Sequence, residues 1–234
     1  MRTPPRVLLT VLALPAALAA GCESLPYHLA NSKDKIVAVD VALEPDATLA
    51  TRTGGPAAAA PHITLVQRFV RESDLHHLAA VVANVMSGTR LDQMDLRATG
   101  YRSGSWNGVA GTALVVDSTP ELRRLQERIV EETRAFSLNP ETAKSFIATP
   151  DGSSMPDKSI DVVERWVPDA SGVNYRPHVA ITPVQVDAAR RAEGQPFEAI
   201  TFKPATAAVY QLGAIGTAPR LLWTWTGEPG ARTP

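Results

Sequence analysis

One short pattern, Pro-His followed by a strand-like apolar run, recurs in this chain of 234 residues, and it limits the fold more than any other feature. Pro61-His62-Ile63-Thr64-Leu65 is echoed by Pro177-His178-Val179-Ala180-Ile181. Each copy reads as a strand, on which residues two apart point to the same side. His62 and Thr64 then share one face while Ile63 and Leu65 enter the core, and His178, Ala180 and Thr182 share a face in the same way. A repeated strand with one copy in each half implies a duplicated domain. Two halves packed about a pseudo-twofold axis would line a single cleft with an imidazole on each side.

The rest of the chain supplies strands and helices for such a domain. With 44% hydrophobic and 20% charged residues, it has the material of a packed core and too little charge for disorder. Residues 36–43 alternate Val37, Val39, Val41 and Leu43 against Ala38, Asp40 and Ala42. Residues 62–69 set Ile63, Leu65, Gln67 and Phe69 opposite His62, Thr64, Val66 and Arg68. A hairpin is expected from 94–102 and 107–116 around Gly104. Further strands are expected at 160–167, 178–182, 197–202, 207–211 and 220–225.

One helix is predicted from Ser73, with the stripe Leu75, Leu78, Val82, Val85 and Met86 and a stop at Gly88. Ser118-Thr119-Pro120-Glu121 has the Ser-x-x-Glu form of a capping box and opens a second, with Leu122, Leu125, Ile129 and Phe136 inward. A third is expected near 185–192. Residues 44–60 read as a loop or short helix, and 137–159 as an excursion over the surface, a rim or lid. The fold class is α+β.

The N-terminus has the form of an export leader. Arg2 and Arg6 precede Val7, Leu8, Leu9, Val11, Leu12 and Leu14, a run too short for a permanent membrane span. Residues 1–21 read as a signal peptide ending in Leu18-Ala19-Ala20-Gly21-Cys22, which resembles the lipobox of bacterial lipoproteins with its leucine one place early. Ordinary cleavage after Ala17-Leu18-Ala19 is the competing reading and leaves a free thiol.

Cys22 is the only cysteine, so no intramolecular disulfide and no multi-cysteine metal site can form. Lipidated, it would hold the protein to a membrane of the bacterial cell envelope, with the domain in the periplasm or outside the cytoplasmic membrane. Residues 22–35 would be the tether, 36–226 the domain and 227–234 a frayed tail. Without Arg2 and Arg6, 21 of the 23 basic residues remain against 24 acidic ones, which argues against duplex nucleic acid as a partner. A small phosphorylated or nucleotide substrate, met by a monomer, is compatible.

Paired histidines suit in-line attack on phosphorus. One takes a proton from the nucleophile and the other gives one to the leaving oxygen. An unperturbed pKa of about 6.5 lets either ring do either task, and the sequence does not assign the roles. Neighbouring hydroxyls can donate to the non-bridging oxygens.

These residues resemble the paired His-x-Thr/Ser motifs of the two-histidine (2H) phosphoesterase superfamily, specifically its bacterial 2′-5′ RNA ligase-like proteins. The likeness runs from Ile36 to Trp225. It includes Val39-Asp40-Val41-Ala42-Leu43-Glu44-Pro45, the segment Pro61 to Phe69, Thr119-Pro120-Glu121-Leu122 and Val209-Tyr210-Gln211-Leu212-Gly213.

The resemblance implies a bilobal duplicated fold, two antiparallel sheets around a central cleft with helices outside. It also implies action on cyclic phosphates or 2′-5′ linkages with no metal or other cofactor. His62, Thr64 and His178 would be catalytic. The second motif departs from the pattern, since Ala180 stands where a hydroxyl belongs, and losing one such donor costs roughly 10²- to 10³-fold in rate. Thr182, about 6.6 Å further along the same face, is the candidate substitute.

Two functions follow: a membrane-anchored, metal-independent phosphoesterase, or a weakened relative that binds a nucleotide or a partner. His76 and His77 fall opposite the helix stripe and read as surface residues, and His28 lies in the tether. Tyr101, Tyr175 and Tyr210 read as packing residues before base-stacking ones. Arg68, on the face of His62, is either a phosphate contact or simply exposed.

Overall fold

The computed structural model describes residues 34–50, 61–106, 109–139, 143–149, 152–180, 196–225 and 227. The leader, Cys22, residues up to 33, Thr182 and the helix expected near 185–192 lie outside the described residues.

Apolar alternation produces eight strands. They are β1 (Ile36–Pro45), β2 (Ile63–Arg71), β3 (Leu96–Trp106), β4 (Val109–Val116), β5 (His178–Ala180), β6 (Ile200–Phe202), β7 (Pro204–Gln211) and β8 (Arg220–Trp225). They hydrogen-bond as one antiparallel sheet in the order β6-β3-β4-β5-β2-β1-β7-β8. β1 lies between β2 and β7, so Ala38, Asp40 and Ala42 are as fully buried as the valines between them. Period-2 alternation is the pattern of a half-buried strand, but this one is covered on both sides.

One sheet face is closed by two helices, α2 (Leu75–Ser87) and α3 (Pro120–Glu132). α2 buries Leu78, Val82, Val85 and Met86 and ends at Gly88, as its stripe predicts. α3 buries Leu122, Leu125 and Ile129. These meet Val37, Val39, Val41, Leu43, Ile63 and Leu65 in the main core, each such side chain contributing about 1.5–3 kcal/mol of burial. The cap of α3 is Thr119 rather than Ser118: its side chain accepts from the Leu122 amide at 3.2 Å. Pro120 is the cause, because it holds the residue before it extended, which is the geometry of an N-cap.

The second face carries two smaller clusters. Ala38, Phe69, Phe146, Val163 and Leu212 form one, and Ala42, Ala208, Tyr210 and Ala218 the other. On β1, Asp40 falls between Ala38 of the first and Ala42 of the second.

The strand expected at 160–167 is helical, as α4 (Asp157–Glu164) and α5 (Trp166–Ala170), with α1 (Ala47–Ala50) the remaining short helix. Ile160, Val163 and Val167 recur at helical spacing, Pro156 stands at the N-cap and Asp157 favours the first turn. The stretch expected as an excursion over the surface is fastened to the sheet at several described points. The Leu138 amide donates to the Phe69 carbonyl, the Ile147 amide donates to the Leu212 carbonyl, and Phe146 is buried. Among the described residues no helix is long and apolar enough to cross a membrane.

Candidate functional site

The two copies of the pentapeptide lie against each other. β2 and β5 pair antiparallel with Ile63 opposite Val179, the central residues of the copies. Both point into the main core. Continuing that register by one residue each way sets His62 opposite Ala180 and Thr64 opposite His178. The histidines are therefore diagonal neighbours on one sheet face, a relation in which residues stand about 7–8 Å apart.

Asp40 organises the first motif. It is fully buried, and its Oδ2 accepts a hydrogen bond from Thr64 Oγ1 at 2.7 Å while lying 3.4 Å from His62 Nε2. The second distance suits an ion pair better than a tight hydrogen bond. Asp40 Oδ1 has no hydrogen-bond partner among the described residues. The buried His62 ring also packs against Tyr210, with centroids 5.4 Å apart and planes inclined by 31°. Tyr210 faces Asp40 across β7 and donates its hydroxyl to Glu44.

Burial, and then the Glu44 carboxylate, push the Tyr210 hydroxyl well above its ordinary range, so it stays a donor. Tyr175 is buried and donates to the Thr64 carbonyl at 3.1 Å, fixing the backbone of the first motif. Its hydroxyl is likewise raised, by burial and then by Asp40.

His178 sits in a different environment. Its Nδ1 lies 2.9 Å from the Arg176 carbonyl. A carbonyl only accepts, so Nδ1 carries the hydrogen, and in the neutral ring the lone pair is on Nε2. Burial lowers the His178 pKa below the ordinary histidine value. The Arg176 hydrogen bond opposes that, the charge of His62 adds to it, and the charge of Asp40 opposes it. The second motif thus offers a ring whose neutral form is favoured and whose Nδ1 hydrogen is fixed on Arg176.

The structure brings His62, Thr64 and His178 to one face, whereas Thr182 lies outside the described residues. Thr64 spends its hydroxyl hydrogen on Asp40, so serving a phosphate requires that hydrogen to turn off the carboxylate. Ala180 is exposed beside Ala113 of β4.

Arg68 is not on the His62 face. β2 carries one extra residue where the register shifts between Val41 and Ala42, so Leu65 and Val66 both enter the main core. Arg68 thereby turns inward and donates to Thr133 Oγ1 at 3.0 Å and to the Val130 carbonyl, at the C-terminal end of α3. Burial lowers its pKa to about 10, which leaves it cationic at neutral pH. His76 and His77 are exposed, as their helical positions imply.

Sequence reasoning gave no site role to four residues found here. Asp40 was readable as a carboxylate in an otherwise apolar strand, but nothing local revealed its link to His62. Glu44 and Tyr210 meet only through the pairing of β1 with β7. The exposed Arg102 reaches the same face through the register Arg102–Ala113–Ala180. Among the described residues, no group of three or more His, Cys, Asp and Glu is gathered as a metal site. No family model matches the chain, and no curated protein matches it.

Proposed function

We propose that the protein is a metal-independent phosphoesterase of the 2H type, acting on a cyclic phosphate or a 2′-5′-linked nucleotide and anchored to a membrane of the bacterial envelope through lipid on Cys22. The observation that carries the reading is the pairing of Ile63 with Val179. It puts His62 and His178 at diagonal positions on one face of adjacent strands, in unlike environments, which supports acid–base work by the pair. The two four-strand halves meeting at β2 and β5 are read as the duplicated lobes, with the histidine face as the cleft. Arg102 supplies a cation for the phosphate from the same face. One histidine removes a proton from water as it attacks phosphorus, and the other protonates the departing oxygen.

A second reading is favoured by Ala180 and by the Thr64 hydroxyl being held by Asp40. With no hydroxyl hydrogen directed to a non-bridging oxygen from the described motif residues, the site would bind a nucleotide or partner and turn over little.

Incubating the full chain with a panel of 2′,3′-cyclic nucleotides in EDTA separates the two. Ring opening that is lost in both His62→Ala and His178→Ala supports the phosphoesterase. Calorimetric binding without turnover, unchanged in Ala180→Thr, supports the binding protein. Neither binding nor turnover rejects both.

A further inference from the structure

We propose that Asp40 is a positioning residue that makes the two histidines unequal: it keeps the transferable proton on His62, the acid toward the leaving oxygen, and leaves His178 as the base. The inference rests on the phosphoesterase reading and assigns roles within that site.

The argument begins with a buried charge. A carboxylate without water is costly to hold ionised unless a cation or several donors meet it. Asp40 is fully buried, Thr64 supplies one donor to Oδ2, and Oδ1 has none among the described residues. The basic group within ion-pair distance is His62, at 3.4 Å, which becomes a cation on protonation. A proton on His62 therefore relieves Asp40, through a contact longer than a tight hydrogen bond. His178 has the opposite setting, with Nδ1–H fixed on the Arg176 carbonyl and Nε2 carrying the lone pair.

Among the described residues, the groups around His62 include Asp40 and, through Tyr210, Glu44 on β1; Tyr210 on β7; His178 on β5; and Tyr175 just before it. Tyr175 and Tyr210 are held neutral, so the groups whose titration can act on His62 are Asp40, Glu44 and His178.

The proton balance is complete with water as nucleophile. His178 Nε2 takes a proton as the water oxygen bonds to phosphorus. The bond from phosphorus to the ester oxygen breaks, and that oxygen takes the proton of His62. His178 is then cationic and His62 neutral, and exchange with solvent restores both.

The test is an NMR titration of both imidazoles in the full chain without substrate, which reads Asp40 even if the phosphoesterase reading fails. The expected result is that His62 titrates above His178, and that Asp40→Asn lowers the His62 midpoint by about 1 to 3 pH units. Thr64→Val serves if Asp40→Asn does not fold. It keeps the carboxylate but removes its hydroxyl donor, so the His62 midpoint should rise. A His62 midpoint that stays put in the variant that folds, or a His178 midpoint above that of His62, overturns the proposal. In the cyclic-nucleotide assay, Asp40→Asn should lower kcat at least tenfold with KM nearly unchanged, and Asp40→Glu should restore part of it. If the titration shifts as expected and the wild type is inactive, the coupling stands and the phosphoesterase reading falls.

Discussion

Ala180→Thr restores the hydroxyl that the second motif lacks, and its effect can be worked out from the pairing of three strands. Ala180 lies opposite Ala113 on β4 and, by the register of Ile63 with Val179, opposite His62. The position is exposed and its β4 neighbour is small, so a threonine side chain has room. Threonine also suits a strand, and exposed substitutions usually change stability by less than about 0.5 kcal/mol. Thr64 gives its hydrogen to Asp40, so the added hydroxyl would be the first one free to face a phosphate oxygen from the described motif residues. One such donor is worth about 10²- to 10³-fold in kcat, or about 2.7–4 kcal/mol. KM should change little, because the charge it meets develops in the transition state.

The assay is cyclic-nucleotide hydrolysis in EDTA, with thermal unfolding as the folding control. A rise in kcat of less than tenfold in a fully folded variant refutes the reasoning, unless Thr182→Val alone abolishes the wild-type rate. In that case Thr182 already supplies the contact.

Other expectations follow from single contacts. His178→Gln should flatten the acid side of the stability profile: with its pKa lowered in the folded state, the unfolded chain binds the proton more readily, so the wild type loses stability as pH falls below about 6.5. Urea unfolding at several pH values checks this. For the same reason the acid limb of kcat/KM should lie below about 6.5, and an acid limb above 7 would contradict His178 as the base. Arg68→Met should destabilise by about 1–3 kcal/mol through the unpaired Val130 carbonyl and Thr133 hydroxyl, yet leave KM unchanged, since Arg68 faces α3. Gly213→Ala should destabilise by about 1–3 kcal/mol, because a Cβ there would meet Thr217 Oγ1 at 2.7 Å. Differential scanning calorimetry reads both variants.

What the sequence revealed depended on how local the signal was. The stripe from Leu75 to Met86 and the stop at Gly88 are complete within one helix, and α2 follows them. β8 occupies the expected 220–225 because its apolar run is bounded at both ends. Failures came where a distant partner decided the outcome. The extra residue in β2 is defined only against β1, and it turns Arg68 from the presumed site face to the core. Apolar residues from Ile160 to Val167 fit a strand or a helix by content, and the packing of Val162, Val163 and Trp166 settles them as helical.

The site divides in the same way. The repeat marked His62 and His178 because the same Pro-His strand pattern recurs in the chain. Asp40 stood in plain view between two valines, but its bond to Thr64 spans two strands and its contact with His62 depends on the fold. Tyr210 and Glu44 come together from opposite ends of the sequence.

The central claim is that two histidines on paired strands perform acid–base chemistry on a phosphate ester. Phosphorus-31 NMR of a 2′,3′-cyclic nucleotide incubated in EDTA with the wild type, His62→Ala and His178→Ala tests it most directly. The account predicts conversion of the cyclic phosphate signal to a monoester by the wild type, slowed about 10²- to 10⁴-fold in each variant with folding intact. Conversion at the wild-type rate by either folded variant would contradict it.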